Sequence, residues 1–368
     1  MGSSIDVVIP SFRLDEKFLL PILALRKPHG FNVHFYLIAD NPSVAVPDSI
    51  HALCAHGQVT LLINKENCGF SATRNRGIDA GHGRWILLLD DDIHPSPDLL
   101  IRYAEAIASK PDSIGFVGVT LFPEPDHPVG RALVLNGSLG HFQKALKEVS
   151  LPWAPTTNVL LSRPILGKRR FNPQLKVGGE DIALLAAISL LHRQQYICVP
   201  NAIVTHPWWQ DGRSQVKRLF RYGLGTGEVM TLPEFRPYTF IDFTNTSESL
   251  CLIMIYSMVG VVFDLPISYI PVVTAVLLLA EVLTTGFRAM LAPGKVSPLV
   301  VFEMLAHKNA YELGMLWGGL RSRGITNFTR RLDLGFRKPD PSPFRLNKWK
   351  IVKMALFLLI LFLVIVAS

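Results

Sequence analysis

Residues 85–92 read Trp-Ile-Leu-Leu-Leu-Asp-Asp-Asp, five apolar residues running without a break into three carboxylates. A short, continuously apolar run predicts a strand covered on both faces, and such strands belong to parallel sheets flanked by helices. In open α/β sheets the ligand lies beyond the carboxyl ends of the strands. Asp90, Asp91 and Asp92 stand at such an end. Three adjacent carboxylates repel one another unless a cation neutralises them. A divalent metal on substrate phosphates does so, because Mg²⁺ takes one or two carboxylates together with phosphate and water. The plainer alternative is a solvated acidic turn, or a cap for a helix over 97–107.

Working upstream, residues 5–9 (IDVVI) predict a strand ended by Pro10-Ser11, and 14–25 has helical spacing. Residues 33–38 (VHFYLI) predict a second strand stopped by Asp40-Asn41-Pro42, and 59–63 (VTLLI) a third, followed by Asn64. A helix is expected over 71–80. The alternation predicts an α/β domain with a mostly parallel, Rossmann-like sheet. In Asn67–Gly77 (NCGFSATRNRG), Gly69 permits a tight turn, Ser71 can cap the helix and Arg74 falls on its first turn. A cation and free amides at a helix start suit a diphosphate; an ordinary capped helix with exposed arginines reads the same way.

Downstream, Gly178-Gly179-Glu180-Asp181 precedes an apolar helix expected over 182–191. Two carboxylates at a helix N-terminus are favoured by the dipole alone. They also suit a general base for an acceptor hydroxyl, with the glycines allowing close approach of a substrate. His206, after the strand-like 203–205, is a candidate metal ligand. Trp208-Trp209 can stack on a sugar or lipid-linked acceptor, or simply pack at an interface.

In this order the pieces resemble glycosyltransferase family 2 on the GT-A fold, in a membrane-anchored bacterial-type form. The resemblance spans about residues 4–230. It implies a nucleotide-sugar donor (a UDP-sugar or similar) held by Pro10 and Ser11 of Val8–Phe12, by Asp40 on the base, by Asn67, Gly69 and Arg74, and by Asp90 and Asp91. Thr73 stands where the family usually has alanine. Mg²⁺ or Mn²⁺ is implied on Asp90 and Asp92 of the DXD motif, with His206. Glu180-Asp181 matches the family's ED pair, whose second carboxylate is usually the base, which points to Asp181. Most members invert the anomeric centre by direct displacement. Processive synthases of the family carry QxxRW; here Gln215–Gly223 (QVKRLFRYG) lacks tryptophan in register, which favours one sugar per encounter. Trp208, Trp209, Arg218 and Arg221 are assigned to the acceptor side.

The alternatives are a processive polysaccharide synthase and a polyprenyl-phosphate sugar transferase, whose phosphate nucleophile needs no carboxylate base. A nucleotidyltransferase would carry a Gly-rich basic loop where Pro10-Ser11-Phe12 stands. A non-catalytic scaffold would not need the full carboxylate set.

Hydrophobic residues make up 49% of the 368-residue chain, unevenly spread. Leu250–Leu283 is almost wholly apolar, broken by Asp264-Leu-Pro266, and predicts two short spans, about 248–264 and 267–285. Met354–Ala367, behind Lys348, Lys350 and Lys353, predicts a third. Gly286–Lys353 carries 13 Lys/Arg against 4 Asp/Glu, more than the whole net charge of +8. That segment reads as cytoplasmic; without interleaved stacking aromatics it does not read as a nucleic-acid surface. Within it, Pro298–Leu320 with Trp317, Arg321 and Arg323 suits a helix lying in the interface.

The expected organisation is a transferase domain over 1–235, a membrane hairpin over 236–290, a basic segment over 291–350 and a last span over 351–368. Met1–Asp6 has no apolar run, and the four cysteines (Cys54, Cys68, Cys198, Cys251) show no metal spacing. The expectation is an integral membrane protein with its catalytic domain in the cytoplasm, on a bacterial inner membrane, acting on a lipid-linked or glycan acceptor.

Overall fold

A computed structural model describes residues 3–294, 296–336 and 345–367. Ser368, the end of the expected last span, lies outside the described residues. The chain divides into two compact units: Met1–Glu124 with Leu139–Asp211, and Pro125–Ser138 with Gly212–Ser368.

The first unit is built on one nine-stranded sheet. Its strands are β1 (Ser3–Ser11), β2 (Phe31–Ala39), β3 (Val59–Ile63), β4 (Trp85–Leu89), β5 (His94–Pro95), β6 (Gly115–Leu121), β7 (Ser150–Leu151), β8 (Asn158–Ser162) and β9 (Tyr196–Thr205). The order is β3-β2-β1-β4-β8-β6-β9-β5, with β7 also on β9. Strands β3, β2, β1 and β4 are parallel, as expected. Beyond β4 the sheet is mixed: β8 runs antiparallel to both β4 and β6, and β6 pairs parallel with β9. The sequence NVLLS of β8 is buried at every position, like WILLL of β4. Full burial on two faces erases the alternation that would have marked its direction.

Helices α1 (Glu16–Leu23), α2 (Asp48–Ala55), α3 (Gly69–Ala80) and α4 (Leu99–Ser109) connect the strands. The core gathers Val7, Ile9, Leu37, Leu87, Leu89, Phe116, Leu160 and Val204, each contributing about 1.5–3 kcal/mol by leaving water. Helix α3 lies close on the sheet: a Cβ on Gly77 would stand 2.5 Å from Val8 and 2.6 Å from Ile38. Below β1, the buried Asp6 carboxylate accepts from the Gly83 amide at 2.6 Å and from Arg163 at 2.7 Å. That ion pair ties the start of β1 to the end of β8.

The second unit contains α5 (Pro128–Asn136), α6 (Val216–Val229), α7 (Thr246–Phe263), α8 (Ile270–Met290), α9 (Pro298–Arg323) and α10 (Lys348–Ala367), with a small antiparallel ribbon of β10 (Thr239–Ile241) and β11 (Arg330–Leu332). Helices α7, α8 and α10 are long and apolar enough to cross a membrane. Helices α6 and α9 meet backbone to backbone, because a Cβ on Gly223, Gly227, Gly314 or Gly318 would strike the facing main chain. Lys308 of α9 binds Glu281 of α8 at 2.6 Å and Glu312 at 3.0 Å, while Lys353 of α10 reaches Glu281 at 2.9 Å. Glu281, Lys308, Glu312 and Lys353 thus form one paired set of charges on these helices.

Candidate active site

All the expected donor, metal and base residues lie in the first unit, together with Trp208 and Trp209. Arg218 and Arg221 belong to α6 of the second. Arg218 donates to Gln215 Oε1 at 3.0 Å, and Arg221 is exposed.

The carboxylates after β4 each have a distinct partner. Asp91 accepts from the Ser11 hydroxyl at 2.5 Å, joining the ends of β1 and β4. Burial pushes the Asp91 carboxyl up to about 6; the Ser11 hydrogen bond opposes this, and the neighbouring Asp92 and Asp90 add to it. Asp90 accepts from Arg74 Nη2 at 3.0 Å and from the Thr157 hydroxyl at 2.8 Å, one donor on each oxygen. Asp92 Oδ1 stands 3.2 Å from His206 Nε2.

The expected metal set of Asp90, Asp92 and His206 is thus only partly assembled, and among the described residues no three His, Cys, Asp or Glu side chains form a ready cage. Asp90 is drawn toward Arg74 and Thr157, leaving Asp92 with His206. That pair fits a divalent cation. The other ring nitrogen, His206 Nδ1, lies 2.7 Å from the Pro207 carbonyl, which fixes the tautomer that leaves Nε2 for a ligand. Burial lowers the proton affinity of His206, but the hydrogen bond and charge of Asp92 outweigh it, and the net shift is upward. Asp92 and His206 are the residues that would hold a divalent cation here. One imidazole and one carboxylate, completed by phosphate oxygens and water, suit Mn²⁺ or Mg²⁺.

Asp40 is committed within the fold. Its carboxylate accepts from Asn64 Nδ2 at 2.7 Å, the Cys68 amide at 2.8 Å and the Gly69 amide at 2.9 Å. It therefore satisfies the free amides that open α3, an end left bare by a Cys68 cap without a side-chain bond. Gly69 has φ +78°, the left-handed conformation that the turn into α3 requires. Asn67 Oδ1 accepts from the same Gly69 amide at 3.1 Å. Pro10 is half-buried at the end of β1.

Arg74 is buried and joins two motifs far apart in the chain. Nη2 binds Asp90, and Nη1 binds Glu180 Oε1 at 3.2 Å. Its guanidinium lies 5.8 Å from the Phe70 ring and 5.9 Å from the Phe171 ring. Asn75 exchanges two hydrogen bonds with the Phe171 backbone, at 2.8 and 2.9 Å, pinning that ring. Beyond Glu180, Asp181 accepts from the Ile182 amide at 2.7 Å. Burial and then the Glu180 charge push the Asp181 carboxyl up to about 8. The expected helix over 182–191 opens instead as a π-helical turn, Ile182–Ala186, before α-helical Ala187–His192. Such bulges are frequent at functional sites.

Beside His206 lies an aromatic cluster that the sequence reading missed apart from its tryptophans. Phe122, just past β6, stacks on the His206 ring at 5.4 Å and approaches Trp208, Trp209 and Phe142 at 5.6, 5.5 and 5.4 Å. Thr157 was likewise missed. Neither belongs to a spaced motif; strand pairing alone brings them to the site.

Residues 6–169 match the family described as Glycosyl transferase family 2. The chain is 25% identical over 205 residues to the succinoglycan biosynthesis protein ExoO of Rhizobium meliloti (strain 1021), covering 50% of this chain and 56% of that protein. The chain thus spans little more than half the length of that relative. Its fold resembles that of the mannosyltransferase PcManGT from Pyrobaculum calidifontis, solved with GDP-Man and Mn²⁺, at a TM-score of 0.53 and 17% identity, covering 85% of this chain and 87% of that one.

Proposed function

We propose, from the match of residues 6–169 to glycosyl transferase family 2, that the protein moves one sugar from a nucleotide-sugar donor to an acceptor hydroxyl, with inversion, at a membrane. The observation that carries this reading is the double ion pair of Arg74, which brings the carboxylates after β4 and the Glu180-Asp181 pair to one place. A donor-side group and a candidate base within reach of a single guanidinium are what a direct displacement needs.

In this reading Asp92 and His206 hold a divalent metal, which when bound supplies positive charge against the leaving diphosphate. Asp181 takes the proton of the acceptor hydroxyl as its oxygen attacks the anomeric carbon; the bond to the diphosphate breaks and the nucleotide leaves with that electron pair. A carboxyl that titrates near 8 is well matched to a base working near neutral pH. Ser11 and Arg74 fix Asp91 and Asp90 on the donor side. The phosphate-nucleophile alternative would leave the Glu180-Asp181 pair without a task.

The polysaccharide-biosynthesis relative and the three apolar helices favour a lipid-linked or glycan acceptor. The basic segment 286–353 favours a cytoplasmic catalytic domain. The test is proton NMR of the sugar transferred to a lipid-linked oligosaccharide by the purified chain in lipid nanodiscs. An α-linked donor should yield a β-linked product, lost when EDTA removes the metal. A retained anomer would exclude direct displacement.

A further inference from the structure

Arg74 is the residue of the site whose geometry exceeds the donor-binding role expected for it. Its side chain is 8% exposed. Nε has no hydrogen-bond partner among the described residues, and the guanidinium is held by its two terminal nitrogens, one on Asp90 and one on Glu180. The Phe70 and Phe171 rings flank it, and Phe171 is itself locked to α3 through Asn75. This is a cation fixed between Asp90, after β4, and Glu180 of the acceptor-side pair. Asp181, the next residue after Glu180, forms no ion pair of its own among the described residues; it accepts from the Ile182 amide.

We propose that Arg74 is the positioning residue that sets the proton affinity of the Glu180–Asp181 pair, by holding Glu180 ionised beside Asp181. The proposal rests on the reading of Asp181 as the base. The physics is that of two close carboxylates sharing one counter-charge. They cannot both ionise cheaply, and the one paired with the cation ionises first. With Arg74 on Glu180, the charge sits on Glu180 and the exchangeable proton on Asp181. Asp90, on the other terminal nitrogen, competes for the same guanidinium and raises the proton affinity of Glu180. The groups acting on the pair are therefore Arg74 from α3 and Asp90 from the end of β4. The directions agree: burial is the largest upward influence on both carboxyls, the Glu180 charge adds to it on Asp181, and Arg74 opposes it on each.

The neutral and charge-conserving variants make opposite, signed demands. In Arg74→Gln the counter-charge is gone while hydrogen-bond donors remain, so the pair should hold its proton to a pH about one to three units higher. In Arg74→Lys the midpoint should stay close to that of the wild type. In Glu180→Gln the neighbouring negative charge is gone, and Asp181 should titrate lower than in the wild type. A loosened structure alone would not move the first and third in opposite directions.

The experiment is an infrared titration of the purified full chain in nanodiscs, without substrate, following the carboxylic C=O band that disappears in Asp181→Asn. An unchanged midpoint in Arg74→Gln, or shifts of one sign in Arg74→Gln and Glu180→Gln, would overturn the proposal. Should Arg74→Gln not fold, Glu180→Gln decides: an unmoved midpoint there means Glu180 was not ionised, and the proposal fails. Because no substrate is used, the base reading fails separately, by full transfer activity in Asp181→Asn.

Discussion

Replacing Asp181 with Asn should trade activity for stability, and both halves follow from one half-buried carboxyl. A general base contributes about 10²–10⁴-fold in rate, so turnover should fall by that factor, about 3–5 kcal/mol of barrier. Donor affinity should hold, since Asp90, Asp91, Ser11 and the Asp92–His206 pair are untouched. Burial and the Glu180 charge push the wild-type carboxyl up to about 8, and in the proposed role it acts only when ionised. Its turnover should therefore rise steeply with pH below about 8 and level off above it; the Asn variant should lack that limb.

The stability effect has the opposite sign. The folded carboxyl keeps its proton to about 8 against an ordinary value of 3.8. Between those values the folded chain binds a proton that the unfolded chain has released, so wild-type stability falls as pH rises through that window. Asn removes the penalty. The variant should match the wild type in melting temperature at pH 4 and exceed it at pH 8. The assays are nucleotide release for turnover and thermal unfolding by intrinsic fluorescence across pH. Near-normal turnover, or a melting difference independent of pH, would refute the reasoning.

Three further outcomes are expected. Asp92→Ala and His206→Ala should each weaken Mn²⁺ binding by at least about tenfold, read by electron paramagnetic resonance of the free ion; unchanged affinity in both would remove the metal assignment. Asp40→Ala, which strips three donors of their acceptor, should cost about 1–3 kcal/mol of stability, seen in thermal unfolding, with loss of donor binding following the melted start of α3. A cysteine placed at Ser322, exposed at the end of α9, should react with an impermeant maleimide only after the membrane is opened; labelling in intact cells would put the basic segment outside.

The parallel half of the sheet was legible because its strands are short apolar runs ended by turn residues, and WILLL runs straight into the three carboxylates at its carboxyl end. The mixed half was not. Strand β8 is as apolar as β4, and nothing in NVLLS says that it runs the other way. The site residues were readable as spaced motifs, but their partners were not. Thr157 reaches Asp90 from the strand that pairs antiparallel with β4, and Phe122 reaches His206 from the end of β6, so both contacts depend on pairing that no local pattern encodes. The roles of Asp40 and Arg74 also needed three dimensions. Only there does one carboxylate cap a helix 28 residues away, and one guanidinium reach a carboxylate 106 residues away.

The most direct test of the transferase reading is nucleotide release by the purified full chain in nanodiscs, measured against a panel of UDP-, GDP- and dTDP-linked sugars with Mn²⁺ or Mg²⁺. The expected result is turnover of a narrow set of donors that requires the metal, ceases with EDTA, and falls by about 10²-fold or more in Asp181→Asn. Turnover of none of them in a native lipid extract, or turnover indifferent to both the metal and Asp181, would contradict it.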